Sequence, residues 1–171
     1  NRADKIRQLK NSIIILHLNY KNLKKQNSDE YIDTYIKNLN RYLDLNYYVI
    51  LIYPIPQWST NISEDLDKRF KQNNLFFLQE LKDPQNHIFL NYNNFRDDSK
   101  KVFDKFDELT HKNLYKLFPH QKFCNKILKD RCLAHSSEEI YVIDGSHLSK
   151  KGSEILNNDL IELIDKIKLK K

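Results

Sequence analysis

The stretch "SIIILHLNYKNLKKQNSDEYIDTYIKNLNRYLDLNYYVILIYP", residues 12–54, decides the fold. Residues 12–18 (SIIILHL) and 47–53 (YYVILIY) are short β-branched and aromatic runs without helical period, the second bounded by Pro54; both read as buried parallel strands. Between them Ser28 is an N-cap candidate followed by two acids. Tyr31, Ile32, Tyr35, Ile36, Leu39, Tyr42 and Leu43 then recur at three- and four-residue steps, which predicts an amphipathic helix. Strand, helix, strand is a βαβ unit, and it predicts an α/β layered domain with a parallel sheet.

Outward from this unit the pattern continues. A Pro-rich loop, "YPIPQWSTNISEDL", precedes a weaker helical pattern over residues 64–82, and "HIFLNY" (87–92) reads as a short strand. Residues 97–118 begin as a helix, with Asp97, Asp98 and Ser99 near its start, and become ambiguous later. The tail predicts a strand at 139–143 (EIYVI) and a helix capped by Ser149, with Ile155, Leu156, Leu160, Leu163, Ile164 and Ile167 on one face. There is no internal repeat and no low-complexity linker.

The chain has 171 residues, 40% of them apolar, and no break in composition, so one domain spanning 1–171 is expected. No apolar run approaches the roughly 18–20 residues that cross a bilayer. The net charge of +6 raises the question of nucleic acid. The basic residues are mostly Lys, scattered and interleaved with 23 acids, and most aromatics lie at core spacing, so a nucleic-acid partner is not expected. His17, His87, His111, His120 and His135 form no ligand pair at helical or finger spacing, and no metal site is expected.

Chemistry concentrates in "EIYVIDGSHLSKKGSEIL", residues 139–156. In open α/β sheets working residues gather beyond the carboxyl ends of the strands, where Asp144 and His147 are expected to fall. A carboxylate that accepts the imidazole Nδ1–H fixes the tautomer, so that Nε2 can take a proton from a nucleophile. The same residues also suit a plain turn: Asp-Gly is a common turn pair and Ser149 an ordinary cap.

"DGSHLSKKGSEIL" resembles the last block of the SGNH hydrolases, Asp-x-x-His followed by Leu-Ser and a Gly. It is most similar to that block in the periplasmic SGNH domain fused behind the acyltransferase-3 membrane domain of bacterial surface-polysaccharide O-acetyltransferases. "VILIYPIPQWSTNI" (49–62) resembles that family's hydrophobic strand and Pro-x-Pro loop, and "FCNKILKDRCLAHSSEEIYVIDGSHLS" resembles its cysteine pair ahead of the Asp-x-x-His block. The strand "IIILHLNY" (13–20) resembles the one that ends near the active site.

The resemblance implies a three-layer, flavodoxin-like fold with a mostly parallel sheet, here lacking the first strand. It makes Asp144 and His147 the catalytic acid and base. Asn19 falls near an oxyanion-hole position, although family members often carry Arg-Trp where this chain has Asn19-Tyr20. It also implies a periplasmic location, where Cys124 and Cys132 can form a disulfide with Cα atoms within about 7 Å.

The SGNH nucleophile stands in a Gly-Asp-Ser turn, and this chain has none: its two glycines are Gly145 and Gly152. Ser12 leads into a strand, Ser59 and Ser63 lie in the Pro loop, and Ser146 suits turn chemistry. The chain opens on Asn1 without Met, so the expectation is a truncated C-terminal part of a larger membrane acyltransferase whose nucleophile lies upstream. The implied function is transfer of acetyl or another acyl group from an acyl donor to a cell-envelope polysaccharide hydroxyl, without a cofactor. The glycan acceptor, the donor and the membrane acyltransferase domain are its implied partners. The alternatives are an SGNH esterase or a non-catalytic glycan-binding domain, and this chain alone is expected to be inactive.

Overall fold

In the computed structural model, which describes residues 12–18 and 28–170, the opening stretch forms the expected βαβ unit. Strand β1 (Ile13–His17) and helix α1 (Ser28–Asp44) lead to strand β2 (Tyr48–Ile52), which pairs in parallel with β1 from Ile13 opposite Tyr48 to His17 opposite Ile52. Helix α2 (Ile62–Glu80), a 3-10 turn (Pro84–Asn86), strand β3 (Phe89–Asn91) and helix α3 (Tyr92–Asp107) follow. Strand β4 (Leu114–Leu117), the one-turn helix α4 (His120–Phe123), strand β5 (Arg131–Leu133) and helix α5 (Lys150–Lys168) complete the described elements. The fold is α/β with a parallel sheet ordered β1-β2-β4, and β3 and β5 form a separate antiparallel pair.

The described residues divide into two compact units, neither contiguous in sequence. One takes Asn1–Pro54, Lys101–Phe118 and Leu160–Lys171; the other takes Ile55–Lys100 and Pro119–Asp159. The first holds the parallel sheet. Its central strand β2 has Val49, Ile50 and Leu51 fully buried, as expected of a parallel strand covered on both faces. Ile50 packs with Tyr115 and Leu117 of β4 against Ile167 of α5, and Leu160, Leu163 and Ile164 extend that contact. Side chains alternate along the strand, so Tyr53, just past β2, lies on the opposite face. There its ring meets Phe103, Phe106 and Phe118 at 5.4, 5.4 and 4.4 Å, and its hydroxyl donates to Asp107 Oδ1 at 2.7 Å. Helix α1 joins this face through Tyr35, stacked on Phe106 at 5.8 Å, and through ion pairs Asp29–Lys101 and Asp33–Lys105. Helix, sheet and helix make three layers, as the resemblance implied.

The second unit carries β3 and β5, paired from Phe89 opposite Leu133 to Asn91 opposite Arg131, with the Cys124–Cys132 disulfide beside them. Helix α2 is capped by Asn61, whose side chain accepts the Glu64 N–H at 3.2 Å and donates to the Glu64 carboxylate at 2.9 Å, a reciprocal cap.

Two expectations need correction, and one segment left open is settled. Helix α3 starts at Tyr92, five residues ahead of Asp97, because the Asn91 side chain accepts the Asn94 N–H at 3.0 Å and caps it there. The ambiguous end of 97–118 holds β4, which buries Tyr115 and Leu117 and pairs with β2. Residues 139–143 are not a strand. The N–H groups of Tyr141 and Val142 both donate to Ala134 O, at 2.9 and 3.1 Å, which breaks the alternation a ladder requires. Single bridges, His135 with Ile140 and Val142 with Leu148, remain.

Candidate active site

Because 139–143 is irregular, Asp144 and His147 do not sit at the end of a parallel strand. A folded-back turn positions them instead. Ile143 N–H donates to His147 O at 2.9 Å, closing the segment on itself, and Ser149 N–H donates to Tyr141 O at 2.9 Å. The Ser149 hydroxyl then caps α5, accepting the Gly152 N–H at 3.0 Å and donating to Ile140 O. The cap read from sequence is present, and it anchors the turn as well as the helix.

Within this turn the two side chains meet. His147 Nδ1–H donates to Asp144 Oδ2 at 2.7 Å. The other carboxylate oxygen, Oδ1, accepts the main-chain N–H groups of Ser146 at 3.1 Å and His147 at 2.9 Å, and the Ser146 hydroxyl at 3.3 Å. The His147 bond, followed by the two amide bonds, holds the Asp144 carboxyl well below the usual carboxylate range. Asp144 is therefore ionised at neutral pH and acts only as an acceptor. With its proton on Nδ1, a neutral His147 ring keeps the Nε2 lone pair available for a proton, and its side chain is 78% exposed. Ser146 is committed to Asp144, which matches a turn role.

The turn touches the Pro-rich loop. Trp58 N–H donates to Gly145 O at 2.8 Å, and Ser63 N–H to Ile143 O at 3.0 Å. Sequence reasoning did not find this contact, although the scarcity of glycine was a signal: both glycines of the chain face main-chain carbonyls, Gly145 those of Trp58 and Thr60, Gly152 that of Tyr141. Cys124 and Cys132 are joined by a disulfide, their Cα atoms 3.8 Å apart. Asn19 lies outside the described residues. Among the described residues no group of three or more His, Cys, Asp or Glu side chains could hold a metal ion, and no helix is long and apolar enough to cross a membrane.

The profile of the SGNH domain fused to AT3 domains matches residues 2–162. No curated protein matches. Among solved structures, the periplasmic domain of a lipopolysaccharide acetyltransferase from Salmonella ser. Paratyphi A is similar in fold. Its TM-score is 0.57 at 17% identity, over 96% of this chain and 60% of that one.

Proposed function

The chain belongs to the family of SGNH domains fused to AT3 domains, and from that premise we propose that it is the C-terminal SGNH part of a membrane O-acyltransferase. That enzyme modifies hydroxyls of cell-envelope polysaccharide at the periplasmic face of the membrane. The observation that carries this reading is the bond from His147 Nδ1–H to Asp144, on a ring whose other nitrogen can accept a proton.

A serine hydroxyl attacks the acyl carbonyl of the donor while His147 Nε2 takes its proton, and the tetrahedral intermediate collapses as His147 returns that proton to the leaving group. The acyl-serine is then attacked by a sugar hydroxyl whose proton passes to Nε2 and on to the released serine. Asp144 keeps the imidazole in the reactive tautomer and stabilises the imidazolium of both steps without itself taking a proton. Water in place of the sugar would make the same centre an esterase.

The serine comes from a part of the parent outside this chain, which contains no Gly-Asp-Ser. Two further features support a site shared with another segment. Strand β1 is an edge strand among the described residues, yet it is apolar from Ile13 to Leu16, with Ile15 45% exposed, and only its last residue, His17, is polar. The chain also spans only 60% of the lipopolysaccharide acetyltransferase domain it resembles. The same missing motif favours a second reading, a glycan-binding domain without catalysis.

One experiment separates the two: polysaccharide acylation in cells expressing the full-length parent, wild type or His147→Ala. Loss of acylation in the variant is expected; acylation at the wild-type level would overturn the catalytic reading and leave the binding domain.

A further inference from the structure

The 55–61 loop meets the Asp144–His147 turn through a main-chain hydrogen bond. Trp58 N–H donates to Gly145 O at 2.8 Å. At Gly145 φ is +83°, and a Cβ there would lie 2.7 Å from Thr60 O and closer still to Trp58 O. Glycine is needed for both reasons, the left-handed backbone and the absence of room. Just past the loop, Ser63 N–H donates to Ile143 O at 3.0 Å, so the turn is gripped on both sides of Asp144. Trp58 is 8% exposed, and its indole Nε1–H is buried without an acceptor. The indole is therefore held by burial and not by a hydrogen bond of its own.

We propose that Trp58 and Gly145 are positioning residues for the reaction of His147: the buried indole anchors the 55–61 loop, and the loop clamps Gly145 so that Oδ1 of Asp144 meets the N–H groups of residues 146 and 147. The two amide bonds to Oδ1 fix the carboxylate plane, and that plane aims Oδ2 at Nδ1 of His147. If the peptides at 145 shift, the carboxylate rotates and the imidazole loses its orientation, although no group that touches substrate has been removed. This inference rests on the acyltransferase reading for its catalytic consequence and on geometry alone for its structural one.

The test uses two readouts. In the 171-residue chain, NMR follows the Asp144 carboxyl titration and the 15N shifts of the His147 ring. In the full-length parent, acyl transfer gives kcat and KM. Gly145→Ala and Trp58→Ala are expected to move the Asp144 midpoint up toward the ordinary carboxylate value and to mix the His147 tautomers. Both are expected to lower kcat roughly 100-fold with KM for the acceptor unchanged, the cost of about 1 Å of misplacement. Trp58→Phe keeps an aromatic ring, smaller than the indole and without its unpaired N–H, so it is expected to restore most of both readouts. An Asp144 titration identical to wild type in a folded Trp58→Ala chain would overturn the proposal, and so would a kcat within twofold of wild type. Should Gly145→Ala fail to fold, the Trp58 pair decides. If the wild-type parent transfers no acyl group, the acyltransferase reading fails while the NMR titration still judges the clamp.

Discussion

The buried imidazole of His135 accepts the main-chain N–H of Ile88 on Nε2 at 2.9 Å, which leaves the ring proton on Nδ1, donated to Ser136 O at 2.8 Å. Both nitrogens of a neutral ring are thus satisfied. A second proton on Nε2 would face the Ile88 N–H. Burial comes first in pushing the His135 pKa below 6.5, and His87, whose ring centroid is 4.8 Å away, and Arg69 also oppose a positive charge on the ring.

Acid sensitivity follows from this. The unfolded chain takes up the proton before the folded one, so the stabilisation is complete above pH 6.5 and is lost as pH falls from there through the lowered folded value. The free energy of unfolding from urea titrations is expected to be level from pH 8 to 7 and to decline below 6.5, by at most about 1.4 kcal/mol per pH unit for one proton. His135→Leu removes that part of the decline. It also lowers stability at pH 8, by roughly 1–3 kcal/mol, because the Ile88 N–H loses its acceptor. A wild-type decline unchanged in His135→Leu would assign it to other groups.

Asp144→Asn tests orientation at the proposed centre. The Asn side-chain oxygen can still accept the Ser146 and His147 amides, so the fold is expected to survive. Its amide nitrogen cannot accept the Nδ1 proton, and the ring turns to the wrong tautomer. Acyl transfer by the parent should fall on the order of 10⁴-fold. In the wild type the carboxyl lies below its ordinary 3.8, so the transfer rate is expected to show no loss from Asp144 protonation at any pH above 4. Native thermal unfolding together with wild-type transfer in Asp144→Asn would reduce the pair to a turn.

The disulfide can be judged by reduction. It closes a short polar loop, "NKILKDR", that has little apolar surface to hold it down, and chain entropy gives such a loop roughly 2–3 kcal/mol. For a domain of this size that corresponds to a fall in Tm of about 4–12 °C. Cys124→Ser, Cys132→Ser is expected to show the same fall without reductant. An unchanged Tm would remove the disulfide as a source of stability.

What was legible in the sequence was local. β2 and α1 declare themselves through one apolar run and one 3.6-residue period, and the Asp144–His147 pair could be read because its partners are three residues apart. β4 was hidden because Lys116 interrupts an otherwise apolar "LYKLF", and only pairing with β2 makes the alternation of Tyr115 and Leu117 meaningful. The strand expected at 139–143 failed for the converse reason: Ile140, Val142 and Ile143 favour strand locally, but the Ala134 carbonyl draws two successive amides out of register. The grip of Trp58 on Gly145 joins segments distant in the chain, and no periodicity encodes it.

Gly152→Ala sets two effects of opposite sign against each other. Gly152 lies in the first turn of α5, where Ala is ordinarily the better helix former by about 1 kcal/mol. A Cβ at this position, however, would come 3.0 Å from the Tyr141 carbonyl carbon and nearer still to its oxygen. That oxygen is not a flexible side-chain end that can swing away. It accepts the Ser149 N–H at 2.9 Å, and the Ser149 hydroxyl in turn accepts the Gly152 N–H at 3.0 Å. Relieving the contact means moving the helix start off the 140–141 backbone and opening the cap. Overpacking of this kind costs roughly 1–3 kcal/mol, and loss of a serine cap about 1 kcal/mol more. The clash therefore outweighs the propensity gain, and Gly152→Ala is expected to destabilise the chain by about 1–3 kcal/mol in urea unfolding. Ser149→Ala, which opens the cap without adding a clash, is expected to cost less than Gly152→Ala. A Gly152→Ala chain more stable than wild type would show that helix and turn are not in contact through this glycine.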